Sequence, residues 1–107
     1  MSTTINAKVN WPSGQIRPSV SPDPIKVTKK KTTITWSCGE GVENFSISGL
    51  PNTEFNPTSC KKATTFSTTD KHNDKQTTFY SYTVSATQTT TRAIARHDPK
   101  IENEVPS

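Results

Sequence analysis

Cysteine and histidine are the residue types here best suited to chemistry, and each occurs only twice. Cys38 and Cys60 could form a disulfide that closes a loop of about 21 residues, which stabilises by roughly 3 kcal/mol in the chain-entropy model. The alternative is a pair of buried free thiols, because a chain that shows no leader is expected in a reducing compartment. Neither cysteine has the CxxC partner that would mark a redox nucleophile. Both alternatives stay open at this point.

A metal site is the second chemistry to weigh. Cys38, Cys60, His72 and His97 could in principle bind zinc, but structural zinc sites draw their ligands from close pairs, and these four are isolated from one another. The run DKHND at 70–74 resembles a calcium loop, yet it lacks the central glycine and the distant glutamate. We therefore expect no metal and no cofactor, and we interpret the run as a solvated turn.

His97 and Asp98 are the best candidates for acid–base chemistry, with the histidine as a base and the aspartate orienting it. A strand that stops at Pro99 explains the same residues. Because the chain has neither a glycine-rich phosphate loop nor a paired set of acids, we expect that it is not an enzyme. Trp11, beside Pro12 at a strand end, is the candidate for stacking on a sugar. The predicted ligand surface is therefore Trp11, His97 and Asp98.

The elements that position these residues are strands, since apolar and polar side chains alternate through most of the chain. The clearest case is 33–38, where Ile34, Trp36 and Cys38 alternate with Thr33, Thr35 and Ser37. This period of two is typical of a sheet with one buried face. Proline-containing segments at 12–24 and 51–60 are interpreted as loops, because proline lacks the amide donor of a ladder. Strands are predicted at 4–11, 25–27, 32–38, 43–48, 61–68, 77–87 and 92–97.

Seven short strands without a helical segment predict a single all-β domain. The expected architecture is a seven-stranded antiparallel Greek-key β-sandwich, and an up-and-down barrel is the alternative. The domain is expected to span 1–103, with 104–107 as a flexible C-terminal tail. Only 28% of the residues are hydrophobic, but those few lie in register, which disfavours disorder.

Five segments resemble parts of known β-sandwich families: 24–27, 33–36 and 45–47 in the first half of the chain, and 79–84 and 97–103 in the second. Those in the first half resemble the opening half of cupredoxin-like domains, and those in the second are similar to small bacterial β-sandwich proteins of unassigned function. The resemblance implies a cupredoxin-like or immunoglobulin-like sandwich. A type 1 copper site uses two histidines, a cysteine and usually a methionine, and the single methionine here is Met1, so no copper ligand carries over.

Charge and composition limit the kinds of partner that the protein is expected to have. The formal net charge is +4, and lysines on edge strands are expected to prevent edge-to-edge association. Nucleic acid is disfavoured, because the aromatic side chains are needed in the core. We expect a soluble, non-enzymatic binding or structural module that acts on another protein. The alternatives are a carbohydrate-binding module and a metal-binding cupredoxin-like protein.

The expected location is cytoplasmic by default. The first residues have neither the basic start nor the apolar run of a signal peptide, and no segment is apolar over the length of a membrane span. We therefore expect no membrane partner. Secretion stays open, because a leader removed from the sequence would leave the same pattern.

Overall fold

Twelve β-strands and no helix make up the computed structural model, which describes residues 3–104. All-β architecture is thereby confirmed. The strands are β1 (Thr4–Asn10), β2 (Ser19–Ser21), β3 (Ile25–Val27), β4 (Thr32–Cys38), β5 (Val42–Ser48), β6 (Phe55–Asn56), β7 (Cys60–Ala63), β8 (Thr65–Asp70), β9 (Thr78–Ser81), β10 (Thr83–Gln88), β11 (Ile94–His97) and β12 (Lys100–Asn103).

The strands form three sheets. Five strands lie in the order β2-β1-β4-β8-β6, four in the order β11-β10-β5-β7, and three in the order β3-β12-β9. Two neighbouring pairs are parallel: β1 with β4, where Ile5 lies opposite Ile34, and β3 with β12, where Ile25 lies opposite Ile101. The prediction of seven strands, all antiparallel, is therefore wrong in number and in direction.

Trp36 is the largest fully buried side chain in a hydrophobic core to which all three sheets contribute. Its indole is fully buried, stacks on Phe66 with ring centroids 5.7 Å apart, and meets Tyr82 edge to face at 5.5 Å. The Trp36 Nε1–H donates to Tyr82 Oη at 3.1 Å, so the one polar group of this buried indole has a partner. The alternation of apolar and polar residues in β4 thus correctly predicts which face of this strand is buried.

Chain segments predicted as loops contain short strands. β2 lies between Pro18 and Pro22, at the edge of its sheet, where a missing amide donor costs little. The long strand predicted at 77–87 is divided at Tyr82, whose amide donates to Pro99 O at 3.1 Å. The halves on either side of this residue, β9 and β10, belong to different sheets.

The C-terminal segment continues the fold to the end of the described residues. β12 is the middle strand of its sheet, and Ile101 is fully buried. The amide of Glu104 donates to Val27 O at 2.9 Å, so this first residue of the predicted tail is hydrogen-bonded to the domain. The remainder of that tail, 105–107, lies outside the described residues.

Residues 3–104 include no helix that is long and apolar enough to cross a bilayer.

Candidate functional site

Trp11 does not offer a face for sugar stacking. Its side chain is only 3% exposed, and its Nε1–H donates to Gln15 O at 2.8 Å. The backbone holds it as well, since the Trp11 amide donates to Glu40 O at 2.7 Å. The expectation that this indole forms part of a ligand surface is therefore wrong, because Trp11 packs into the core rather than standing at a free strand end.

His97 and Asp98 bind different partners. His97 Nε2 lies 3.3 Å from Asp23 Oδ2, whereas Asp98 Oδ1 accepts from Thr83 Oγ1 at 2.9 Å. Asp23 also accepts from the Lys100 amide at 3.1 Å. His97 is therefore paired with Asp23, an aspartate from the proline-rich segment. This pairing could not be predicted from the residues adjacent to His97 in the sequence.

Cys38 and Cys60 are free thiols, so the disulfide alternative is not formed in this structure. Both are partly buried and pack against the core. Burial raises the pKa of Cys38, an effect that Lys8 partly offsets, and burial raises the pKa of Cys60, which a hydrogen bond from the Ile47 backbone partly offsets. A raised pKa lowers the thiolate fraction, so these cysteines are poor nucleophiles.

We expect both thiols to be alkylated slowly by iodoacetamide in the folded protein. At about pH 7.5, labelling should be at least about tenfold slower than in concentrated urea, because the fold lowers both the thiolate fraction and access to sulfur. Intact-mass spectrometry over time measures the rate, and peptide mapping assigns each site. Equal rates in folded and unfolded protein would contradict the assignment of both as partly buried thiols of low reactivity.

An open hollow of about 610 Å³ lies beside β7, the strand at one edge of the four-stranded sheet. Most of its surface is apolar. Its lining residues come from β5, from β7 and from the residue before β7: Ser46, Ile47, Ser48, Ser59, Cys60, Lys61 and Lys62.

A β-bulge shapes this hollow. Cys60 pairs with Ile47 and Ala63 pairs with Phe45, so β7 carries one residue more than the facing stretch of β5. Lys62 absorbs the extra residue with a left-handed backbone, φ 46°, and its amide donates to Ser46 Oγ at 3.0 Å. The bulge therefore brings two exposed lysines to the rim of the hollow.

A second hollow, of about 410 Å³, shares Ser59 with the first. Its surface is mainly polar, and its lining includes Lys71, which follows β8. Together the two hollows present three lysines, and none of their lining residues is acidic. We call this joint surface, lined by 46–48, 52, 55–62 and 71, the basic double hollow.

Beside this surface lies a buried polar cluster that the sequence analysis missed. Asp70, His72 and Asn103 are all fully buried, and Glu54 is nearly so. Sequence interpretation treated 70–74 as a solvated turn, because every residue type in it is polar. The signal that could have been used is the return to alternation at 101–103, which places Asn103 on the same inward face as Ile101.

The cysteines and histidines that were weighed as zinc ligands have separate partners. Cys38 Sγ approaches Ala63 O, His72 Nε2 lies 3.0 Å from Val27 O, and His97 Nε2 lies 3.3 Å from Asp23 Oδ2. Within 3–104, no group of three or more histidine, cysteine, aspartate or glutamate side chains has an arrangement that could hold a metal ion.

Comparison with known proteins does not assign the chain to a family. No protein-family model matches it, and no curated protein is similar enough to count as a relative. The resemblance to cupredoxin-like and immunoglobulin-like domains is thus not supported by a family match.

Proposed function

We propose that the protein is a non-enzymatic binding module, and that its basic double hollow takes an acidic, extended segment of a partner protein. The observation that carries the proposal is the juxtaposition of an apolar hollow with three lysines and no carboxylate among the lining residues. An apolar side chain of the partner would occupy the first hollow. Flanking aspartates or glutamates would pair with Lys61, Lys62 and Lys71.

The size and surface of the first hollow suit such an anchor. Its volume of about 610 Å³ lies within the range of about 300 to 1,000 Å³ that is usual for ligand sites. Ser46 and Ser48 on β5 supply hydroxyls beside the apolar surface, which can orient a bound backbone. Anchoring by one apolar side chain with a polar rim is the common energetic pattern of protein interfaces.

The bulge in β7 argues for side-chain insertion rather than for the addition of a strand. A partner strand needs a regular row of free amides and carbonyls, and the left-handed Lys62 interrupts that row. Bulges and lysines on an edge strand are the usual protection against unwanted pairing. The sequence-based expectation about edge lysines is compatible with this role, since the same charges select an acidic partner.

Nucleic acid is the competing polyanion. Proteins that bind single strands combine basic grooves with exposed aromatic rings on which bases stack. The only aromatic residue that lines the double hollow is Phe55, and it is fully buried. The surface therefore favours carboxylates next to an apolar side chain.

The remaining sequence-based alternatives have less support. A carbohydrate-binding role through Trp11 lacks the exposed ring, and a metal-binding role lacks an assembled ligand set among residues 3–104. The finer fold assignment, a cupredoxin-like or immunoglobulin-like sandwich, is proposed on the resemblance alone. The non-enzymatic character is proposed because the candidate pair His97 and Asp98 bind separate partners.

Charge reversal tests the proposal. A peptide library with one apolar anchor flanked by aspartates and glutamates is the probe, and a library with lysines in those places is its counterpart. We expect K61E/K62E to weaken binding of the selected acidic peptide about tenfold at low salt, because two rim attractions become repulsions. Fluorescence anisotropy measures the affinity, and amide shifts in 46–48 and 59–62 locate the site.

K29E/K30E is the matched control, since it changes the net charge equally at two exposed lysines that do not line the double hollow. It should weaken binding less than about threefold, through long-range attraction alone. Equal losses in both variants would contradict the site, as would selection of no acidic peptide. Preferential binding of a single-stranded oligonucleotide would replace the proposal with the nucleic-acid alternative.

A further inference from the structure

The buried polar cluster joins segments that are far apart in the sequence. Asp70 Oδ1 accepts from the His72 amide at 2.9 Å and from Asn103 Nδ2 at 3.0 Å. His72 Nε2 lies 3.0 Å from Val27 O. The cluster therefore ties the end of β8, in the five-stranded sheet, to β3 and β12, which are two of the strands of the three-stranded sheet.

Carboxylates surround this joint. Asn103 Nδ2 also donates to Asp74 Oδ2 at 3.0 Å, and Tyr80 Oη donates to Asp74 Oδ1 at 2.8 Å. Glu54 Oε1 accepts from the Asn73 amide at 2.9 Å. Asp70 is thus faced by Glu54 from the loop before β6, by His72 and Asp74 from the turn after β8, by Tyr80 from β9 and by Asn103 from β12.

Three atoms of the cluster have no hydrogen-bond partner among the described residues, and all three are fully buried. They are Asp70 Oδ2, His72 Nδ1 and Asn103 Oδ1. Because a carbonyl can only accept, the Val27 contact places the proton of a neutral His72 on Nε2 and leaves Nδ1 as an acceptor. Asn103 must direct Nδ2 toward the two carboxylates, so its Oδ1 is an acceptor too. With Asp70 ionised, the cluster holds three unpaired acceptors, which is costly in a buried site.

We propose that the cluster is a proton-binding site in which Asp70 Oδ2 takes up the proton, and that this proton strengthens the joint between the three-stranded sheet and the rest of the domain. The proton removes one buried negative charge and changes one unpaired acceptor into a donor. The ligand is the proton itself, so neither a metal nor an organic group is needed.

The electrostatics of the site agree with this geometry. Burial raises the pKa of Asp70 to about 6, although hydrogen bonds from Asn103 and the His72 amide lower it and Glu54 raises it. Burial also raises the pKa of Glu54. Burial alone would raise the pKa of Asp74, but hydrogen bonds from Asn103 and Tyr80 contribute to a net lowering. Asp74 therefore stays ionised while Asp70 titrates.

The sign of the stability change follows from linkage. An aspartate that titrates near pH 6 when folded, and at 3.8 when unfolded, makes the folded state bind more protons between those values. The contribution of Asp70 to the free energy of unfolding is therefore present at acidic pH and is lost as the pH rises through about 6. Over pH 4.5 to 8, this group alone should raise the unfolding equilibrium constant by about 20- to 30-fold.

D70N is the decisive variant, because the amide keeps Oδ1 as an acceptor and puts a donor where the proton would be. We expect D70N to lose most of that 20- to 30-fold difference in urea unfolding and to be more stable than the native protein at pH 8. D98N is the control, because it removes an exposed carboxylate that bonds to Thr83 and not to the cluster. This variant should keep the native pH dependence. An unchanged pH dependence in D70N would overturn the proposal.

A measurement on the native chain decides the matter if D70N does not fold. The carboxyl carbon of Asp70 is followed by NMR as a function of pH, with Asp98 as the internal reference. We expect the Asp70 carboxyl to titrate with a midpoint near pH 6. Below that pH, the amides of Tyr80 and Ile101 should be more strongly protected from hydrogen exchange, after correction for the intrinsic exchange rate. A midpoint near the ordinary aspartate value, or protection that does not change, overturns the proposal.

Discussion

W36A is expected to leave the protein largely unfolded at 25 °C. The indole is fully buried between Phe66 and Tyr82, so its removal opens a large cavity at the centre of the core. Such tryptophan-to-alanine changes cost about 3 to 5 kcal/mol, and the unpaired Tyr82 hydroxyl adds about 1 kcal/mol. A domain of this size is stable by about 5 to 15 kcal/mol, and a thin core places it near the lower limit.

Urea unfolding followed by far-UV circular dichroism measures this loss, and the dispersion of amide NMR signals reports whether a fold remains. I94A is the matched control, because Ile94 is 69% exposed and its truncation should cost less than about 0.5 kcal/mol. W36F, which keeps a ring against Phe66, should fall between the two. A W36A variant as stable as I94A would show that Trp36 does not organise the core.

G41A is expected to destabilise the protein by about 3 kcal/mol or more. Gly41 has φ +74°, a conformation that costs an alanine about 1 to 2 kcal/mol, and a Cβ there would overlap the carbonyl oxygen of Trp11. That oxygen belongs to backbone, so it cannot rotate away. Backbone hydrogen bonds hold both sides of the turn, from Trp11 to Glu40 O and from Thr89 to Gly41 O, so any shift disturbs two sheets.

Gly14 provides a matched comparison, because it also has positive φ, +91°, but a Cβ there would meet nothing within 4 Å. G14A should therefore cost only the conformational term of about 1 to 2 kcal/mol. Thermal unfolding of the two variants under the same conditions separates strain from overlap. Similar losses of stability in both would contradict the argument that close backbone contact requires glycine at 41.

Alternation along the chain was sufficient to predict the buried faces of the main strands. Ile34 and Trp36 in β4, and Phe45 and Ile47 in β5, are buried as their spacing indicates. Pairing partners and directions could not be predicted, because a period of two is the same in parallel and antiparallel ladders. The break at Tyr82 was missed because 77–87 alternates without interruption, and only the amide contact with Pro99 divides it.

The candidate sites were less predictable than the fold, for a physical reason. Asp70 and His72 look like surface residues by type, and their burial depends on partners that lie up to 45 positions away, such as Val27 O. The double hollow depends on a bulge in β7, and a bulge is a property of two strands together. Lysines on edge strands were expected from the sequence, but the hollow beside Lys61 and Lys62 has no signature in it.

The position of β12 has a consequence for how the chain matures in the cell. This strand lies between β3 and β9, and its Ile101 fills the core that residues near both ends of the chain share. A nascent chain emerges from the ribosome N-terminal end first. About 75 further residues must therefore be synthesised after β3 before its parallel neighbour β12 is available. Completion of the fold is therefore expected after residue 103 leaves the exit tunnel, and the basic N-terminal portion is exposed to chaperones until then.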